Sequence, residues 1–159
     1  MFFRRKKKAI EIKACFKGTV VPIEEVNDPM FSEKLMGDGA AVEPEEGTLY
    51  APVDGTVSAI FDTKHAIGFT LANGAEILIH IGIDTVELEG KGFDLEIAKG
   101  DKVKAGDKIG HIDIDYVKEQ GKEITTPVLL TNMDEYEIQS LKAEGAVSQA
   151  DTLYTIISK

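Results

Sequence analysis

The sequence predicts a mainly β, single-domain antiparallel sandwich or barrel with one or two short helical turns, and three observations predict it. Short alternating or apolar runs recur along the chain, punctuated by glycine, of which there are 15 among 159 residues. That is how many short strands joined by tight turns read. One pair of such runs flanks Ala72-Asn73-Gly74, and Asn-Gly between strand-like segments is the strongest short hairpin signal. Helical signals, by contrast, are confined to two brief stretches.

Taken in order, Ala14-Cys15-Phe16-Lys17-Gly18-Thr19-Val20-Val21-Pro22-Ile23 aligns with Ala51-Pro52-Val53-Asp54-Gly55-Thr56-Val57-Ser58-Ala59-Ile60, 37 residues further on. Each reads as strand, glycine turn, strand. A related pair of turns lies at Gly100 and Gly106. Two partial echoes are too few for a solenoid, which needs three or more stacked repeats. Residues Pro29 to Met36 read as two helical turns, with Asp28 as N-cap, Pro29 at the first position and Gly37 as the stop. Asp115 to Gln120 reads as a second turn. In the hairpin, a two-residue loop at Asn73-Gly74 pairs Ala72 with Ala75 and sets His80 opposite Ile67. His65 then lies diagonal to His80 on the same face, roughly 7–8 Å away between backbone positions. A loop of three or five residues would separate the two.

A chain of this length is one domain with a substantial core. Its net charge of −10, from 18 basic and 28 acidic residues, argues against nucleic acid as a partner. Arg4, Arg5, Lys6, Lys7 and Lys8 are gathered at the start, so residues 1–12 read as a basic tail ahead of a domain spanning 13–159. The tail has two readings: a solvated segment without a role, or a membrane-surface anchor built from its cations with Phe2 and Phe3. No apolar run approaches the length of a membrane span, and Met1-Phe2-Phe3 lacks the apolar stretch of a secretory signal. A single cysteine, Cys15, provides neither a disulfide framework nor a CxxC metal signal. The expected compartment is the cytoplasm.

Three histidines remain to be read. His111, in the alternating Gly110-His111-Ile112-Asp113-Ile114-Asp115, reads as an ordinary strand residue. The pair His65 and His80 is different, because two imidazoles on one sheet face repel when both are protonated. A site that needs one neutral nucleophilic ring and one donor ring has a use for the pair. Three chemistries employ such an arrangement: zinc binding, general acid–base work, or carriage of a covalent group on nitrogen. Catalytic zinc normally takes three protein ligands and an open position. Asp84 is the one obvious third candidate, and no HxH or HExxH motif is present, so a zinc-dependent hydrolase using His65, His80 and Asp84 stands as the alternative reading. Ala51–Val57 taken with Lys102–Asp107 looks like a biotinyl or lipoyl domain, yet the hairpin tip is Ala-Asn-Gly and offers no lysine to modify.

A family resemblance is carried by several stretches. These are Val26-Asn27-Asp28-Pro29-Met30-Phe31-Ser32-Glu33-Lys34-Leu35-Met36-Gly37-Asp38-Gly39, Ala51-Pro52-Val53-Asp54-Gly55 and Phe61-Asp62-Thr63-Lys64-His65-Ala66. They continue in His80-Ile81-Gly82-Ile83-Asp84-Thr85-Val86-Glu87-Leu88, Gly90-Lys91-Gly92-Phe93, Thr126-Pro127-Val128 and Thr131-Asn132-Met133. In these the chain resembles the glucose-class enzyme IIA of the bacterial phosphoenolpyruvate-dependent sugar phosphotransferase system, over nearly everything after residue 13.

The resemblance implies that His80 accepts a phosphoryl group on Nε2 from the phosphocarrier HPr and passes it to a cysteine of enzyme IIB, which phosphorylates the incoming sugar. It also implies a binding role for regulatory targets in the unphosphorylated state. The other nitrogen of His80 would be held by backbone near Gly82, and His65 would donate to the phosphoryl oxygens as an oxyanion donor does. Thr63 would orient His65, or be an ordinary strand threonine. Met30, Phe31, Leu35, Met36, Phe61 and Leu78 match an exposed apolar docking patch, with Asp28, Asp84 and Glu87 as an acidic rim for the basic face of HPr. No cofactor or metal is implied for transfer, although zinc bridging His65 and His80 is compatible with it. Peripheral contact with the inner face of the cell membrane, through the tail, accompanies a cytoplasmic location. Small departures from the family stand at Gly68 and at Pro29-Met30.

Overall fold

The regular structure of this chain is built mainly from short antiparallel strands. The computed structural model describes residues 8–159. In chain order the strands are β1 (Ile10–Lys13), β2 (Gly18–Pro22), β3 (Asp38–Pro44), β4 (Thr48–Tyr50), β5 (Gly55–Ile60), β6 (Ala66–Thr70) and β7 (Glu76–His80). They continue as β8 (Phe93–Leu95), β9 (Lys102–Val103), β10 (Lys108–Ile112), β11 (Thr126–Leu130), β12 (Tyr136–Gln139), β13 (Ala146–Val147) and β14 (Thr152–Ser158). The helices are α1 (Pro29–Ser32) and α2 (Ile114–Glu119). An eight-stranded sheet has the order β13-β2-β3-β11-β7-β6-β5-β9, and two three-stranded sheets have the orders β1-β14-β12 and β4-β10-β8. The mainly β antiparallel expectation therefore holds.

Side-chain alternation divides the interior in two. The main core gathers Phe16, Leu49, Ile67, Phe69, Ile77, Ile79, Ile109 and Tyr154. A smaller core holds Ile23, Val26, Phe31, Ala41, Ile83 and Leu129. Along β3, Ala40 and Val42 face the main core while Ala41 faces the smaller one; along β11, Val128 and Leu130 do the same against Leu129. A strand buried on both faces needs a continuous apolar run, and Thr126–Leu130 is buried at every position. On β7, Ile77 and Ile79 enter the main core. His80 alternates with them and so shares the other face with Leu78, whose cross-strand partner is Leu129. The face of β7 that carries Leu78 and His80 therefore lies over the smaller core.

Four expectations change in detail. Gly18 and Gly55 open β2 and β5 rather than turning between two strands, because the residues before them form bends. The predicted two-turn helix stops after Ser32. Asp28 caps it as expected, accepting from the Met30 N–H at 2.9 Å, but Lys34 takes a left-handed conformation (φ 58°). Lys34 N–H then donates to Phe31 O and Leu35 N–H to Met30 O, a Schellman closure three residues ahead of Gly37. The hairpin register is offset by one: Ala66 pairs with His80 and Ile67 with Ile79. Its loop is the three residues Ala72-Asn73-Gly74, with Leu71 N–H donating to Ala75 O and Gly74 at φ 90°. Asn73 Oδ1 accepts from Ala75 N–H and Tyr136 OH donates to Asn73 O, which fixes that loop. Finally, of the basic stretch 1–12, residues 1–7 lie outside the described residues, while Ile10 to Ile12 pair with β14 as part of β1. The second helix falls close to its expected place, capped by Asp113.

Close strand approach makes Gly18 a test of this packing. A Cβ built there would lie 2.0 Å from the Glu43 backbone oxygen, and backbone across a ladder cannot move aside cheaply. Gly18→Ala is expected to cost about 1–3 kcal/mol, read as a lowered urea midpoint at an unchanged slope. An unaltered midpoint would contradict the register of β2 against β3.

Candidate functional site

The two histidines meet, although not by the predicted register. His65 precedes β6, after the left-handed Lys64 (φ 59°), so strand alternation does not govern its direction. Its carbonyl accepts from Ile81 N–H at 2.6 Å, which ties it to the residue after His80. The two rings stand edge to face with centroids 5.0 Å apart. The three-residue loop that was expected to separate them does not, because His65 lies in the turn rather than in the strand.

His80 Nδ1 lies 2.7 Å from Gly82 O. A carbonyl only accepts, so Nδ1 carries the proton and Nε2 keeps its lone pair. Thr63 Oγ1 and His65 Nδ1 are joined by a 2.5 Å hydrogen bond; with the hydroxyl donating, the His65 proton sits on Nε2. Thr63 reaches its partner from the turn before β6 and is not a strand threonine. Burial pushes the His65 pKa down to about 4, and the neighbouring His80 adds to the effect. Burial also lowers His80, opposed by the Gly82 carbonyl and by Asp28 and Asp84. The site therefore holds two neutral rings near neutral pH, one with a free lone pair and one with a free N–H. That is a nucleophile beside a hydrogen-bond donor.

Around the rings, Phe31 packs tilted against His80 at 4.8 Å and Phe61 edge-on to His65 at 5.4 Å. Of the expected apolar patch, Leu35 (65 % exposed), Phe61 (48 %) and Met30 (45 %) are open to solvent. Leu78 and Met36 are half-buried, and Phe31, at 2 %, is the wall behind His80 rather than part of an exposed surface. Val86 (47 % exposed) was not anticipated; it stands between Asp84 and Glu87 in a short 3-10 turn, where its spacing carried no periodic signal. In the acidic rim, Asp84 is exposed, Asp28 is half-buried at the α1 cap, and Glu87 is paired with Lys122. The Lys122 pairing was also missed, since the two lie 35 residues apart.

Neither ring lines the two hollows of about 840 and 820 Å³ that adjoin Leu71 and Ala72. Among the described residues no group of three or more His, Cys, Asp or Glu side chains is placed to hold a metal ion, so Asp84 does not complete the ligand set of the hydrolase reading. His111 is exposed on β10, away from the pair, between cross-strand neighbours Thr48 and Asp94. Cys15 is fully buried with its thiol pushed up to about 12, which removes it as a nucleophile.

Comparison with known proteins adds to this geometry. Residues 10–136 match the family described as phosphoenolpyruvate-dependent sugar phosphotransferase system, EIIA 1. The chain is 41% identical over 145 residues to a PTS system glucose-specific EIIA component of Staphylococcus epidermidis, covering 91% of this chain and 87% of that protein. It is 47% identical over 145 residues to a PTS system beta-glucoside-specific EIIBCA component of Bacillus subtilis, covering 91% of this chain and 24% of that longer protein. Among solved structures, glucose permease IIA from Mycoplasma capricolum superposes with a TM-score of 0.89 at 36% identity, covering 98% of this chain and 99% of that one.

The lowered histidines make stability depend on pH. An unfolded imidazole titrates near 6.5, whereas His65 in the fold takes its proton only near pH 4. Between those values the unfolded state binds the proton that the native state refuses, so stability is complete above about pH 6.5 and falls as pH drops toward 4. Urea unfolding at pH 7 and pH 5 is expected to show this loss in the wild type and a smaller loss in His65→Gln. Equal losses in the two proteins would remove His65 as a cause.

Proposed function

We propose, for a chain that belongs to the phosphoenolpyruvate-dependent sugar phosphotransferase system EIIA 1 family, that Nε2 of His80 is the atom that carries the phosphoryl group. As a member of that family the chain is a phosphotransferase component, a phosphoryl carrier in sugar transport. The observation that carries the assignment to His80 is the Nδ1–H donated to Gly82 O at 2.7 Å. It leaves the lone pair on the nitrogen that is free to react.

In the first step, the Nε2 lone pair attacks the phosphorus of the donor's phosphohistidine, on HPr by family resemblance. A new N–P bond forms as the donor's N–P bond breaks, and the donor imidazole departs with the electron pair. Because Nδ1 already holds its proton, His80 needs no base. His65 Nε2–H points its positive end at the phosphoryl oxygens as charge redistributes, and Thr63 holds that ring in the donating tautomer. In the second step a cysteine thiolate of enzyme IIB attacks phosphorus, an S–P bond forms, the N–P bond breaks, and His80 regains its lone pair. While this chain holds it, the phosphoryl group is bonded covalently to His80 Nε2, and neither step uses a metal.

Both partners dock on one surface. Leu35, Met30, Phe61 and Val86 supply exposed apolar area, and methionine repacks readily against different surfaces. Asp28 and Asp84 face the basic surface of HPr, which raises the encounter rate more than the affinity. The named EIIBCA relative supports enzyme IIB as the acceptor. The unphosphorylated patch also serves regulatory targets, and the chain works in the cytoplasm against the membrane permease.

Intact-mass analysis after incubation with phosphoenolpyruvate, enzyme I and HPr tests the assignment. The wild type is expected to gain one acid-labile phosphoryl group, His80→Gln none, and His65→Gln one, at a reduced transfer rate. Thr63→Val, which removes one hydrogen bond of about 1 kcal/mol, is expected to slow transfer about fivefold. An adduct that persists in His80→Gln would sink the assignment.

A further inference from the structure

The side chains buried beside the site include two that the transfer chemistry does not use. Apart from His65, the polar residues buried among the described residues are Thr85 and Thr126, both fully inaccessible. Both bond to the three residues that follow His80. Thr85 Oγ1–H donates to Ile81 O at 2.5 Å. Thr126 Oγ1–H donates to Ile124 O at 2.8 Å, and the same oxygen accepts from Gly82 N–H at 3.4 Å.

Most backbone polar groups of this short stretch have a named partner. Ile81 N–H is taken by His65 O, Ile81 O by Thr85, Gly82 N–H by Thr126, and Ile83 N–H by Glu123 O at 2.9 Å. Gly82 O is left for His80 Nδ1. The stretch turns through two left-handed residues, Gly82 (φ 78°) and Asp84 (φ 57°), so no regular ladder holds it. A Cβ on Gly82 would meet Thr85 Cγ2 at 2.6 Å and Glu123 O at 2.8 Å, which shows how closely the threonine and the segment before β11 grip the turn.

We propose that Thr126 and Thr85 are positioning residues that hold the Gly82 carbonyl on His80 Nδ1 and so keep the reactive tautomer. The inference rests on His80 Nε2 as the phosphoryl acceptor. Removing the Thr126 hydroxyl leaves Gly82 N–H buried without a partner, and a buried unpaired donor drives local rearrangement. The peptide that follows carries Gly82 O. Once that oxygen swings away, nothing selects the Nδ1–H form, and the proton spreads onto Nε2, where it blocks attack.

The test uses the full chain labelled with 15N histidine, with the ring nitrogens of His80 read by long-range 1H–15N correlation at pH 7.5. Single-turnover transfer from phosphorylated HPr is measured in parallel. In the wild type, His80 is expected wholly as Nδ1–H. In Thr126→Val, which keeps the shape and deletes the hydroxyl, an Nε2–H population is expected to appear and transfer to slow about tenfold. Thr126→Ser is expected to restore both, which a purely packing role would not. A folded Thr126→Val with His80 still wholly Nδ1–H overturns the proposal; if that variant does not fold, the same readings on Thr85→Val decide. A wild type that takes up no phosphoryl group, while the threonine variant still shifts the tautomer, would overturn the acceptor assignment and leave the positioning role standing.

Discussion

The hydrogen bond from His80 Nδ1 to the Gly82 carbonyl is the constraint around which the site is arranged. An imidazole near neutral pH has two almost equivalent nitrogens, and a nucleophile must present the unprotonated one. Here the choice is made by a backbone oxygen two residues further along the chain. That oxygen points back only because Gly82 adopts a positive φ, which a side chain would oppose. Burial then holds the ring neutral, so one local turn and one half-buried strand end together settle both charge and tautomer.

The rest of the fold supplies rigidity to that turn. β3 and β11 are covered on both faces, which lets the chain maintain a second, small core around Ile23, Val26, Phe31 and Leu129. Phe31 presents its ring to His80 from that core. Without it the histidine would be less buried, and the burial that lowers its pKa would weaken. α1 exists to deliver Phe31: Asp28 caps its start, and the left-handed Lys34 folds the next residues back. The same fold-back leaves Leu35 and Met30 in solvent beside the site. Burying each would be worth about 1.5–3 kcal/mol, so the exposed pair is apolar area left in water beside the histidines.

Local chemistry made much of this legible from the residues. The Asp28-Pro29 start of α1, the second helical turn and the Asn-Gly hairpin each rest on short-range preferences, and each is present. The residues judged to bear the chemistry, His80, His65 and Thr63, lie in contact. What could not be read was geometry set at a distance. The hairpin register depends on Tyr136 and on the Asn73 side chain fixing a three-residue loop, and no rule of alternation contains that. The left-handed Lys34 and Lys64 carry residue types that usually avoid such a conformation, so neither the early stop of α1 nor the turn that redirects His65 was visible. Phe31 belongs behind the site rather than upon it because a satellite core forms there. The pairing of Glu87 with Lys122 reflects topology alone.

Protonation ties these features together. Two imidazoles 5.0 Å apart would repel if both were charged, and a buried pair would repel more strongly still. Carboxylates at Asp28 and Asp84 pull the other way, favouring the charged form of His80. Desolvation is the largest influence on both rings and decides the outcome in favour of neutrality. The acidic rim therefore stands beside His80 without holding it protonated. Asp84 is exposed and Asp28 is half-buried at its helix cap, whereas His65 is 5 % exposed. An exposed Asp84 beside a buried His65 and a half-buried His80 lets one surface be acidic and still present a free lone pair.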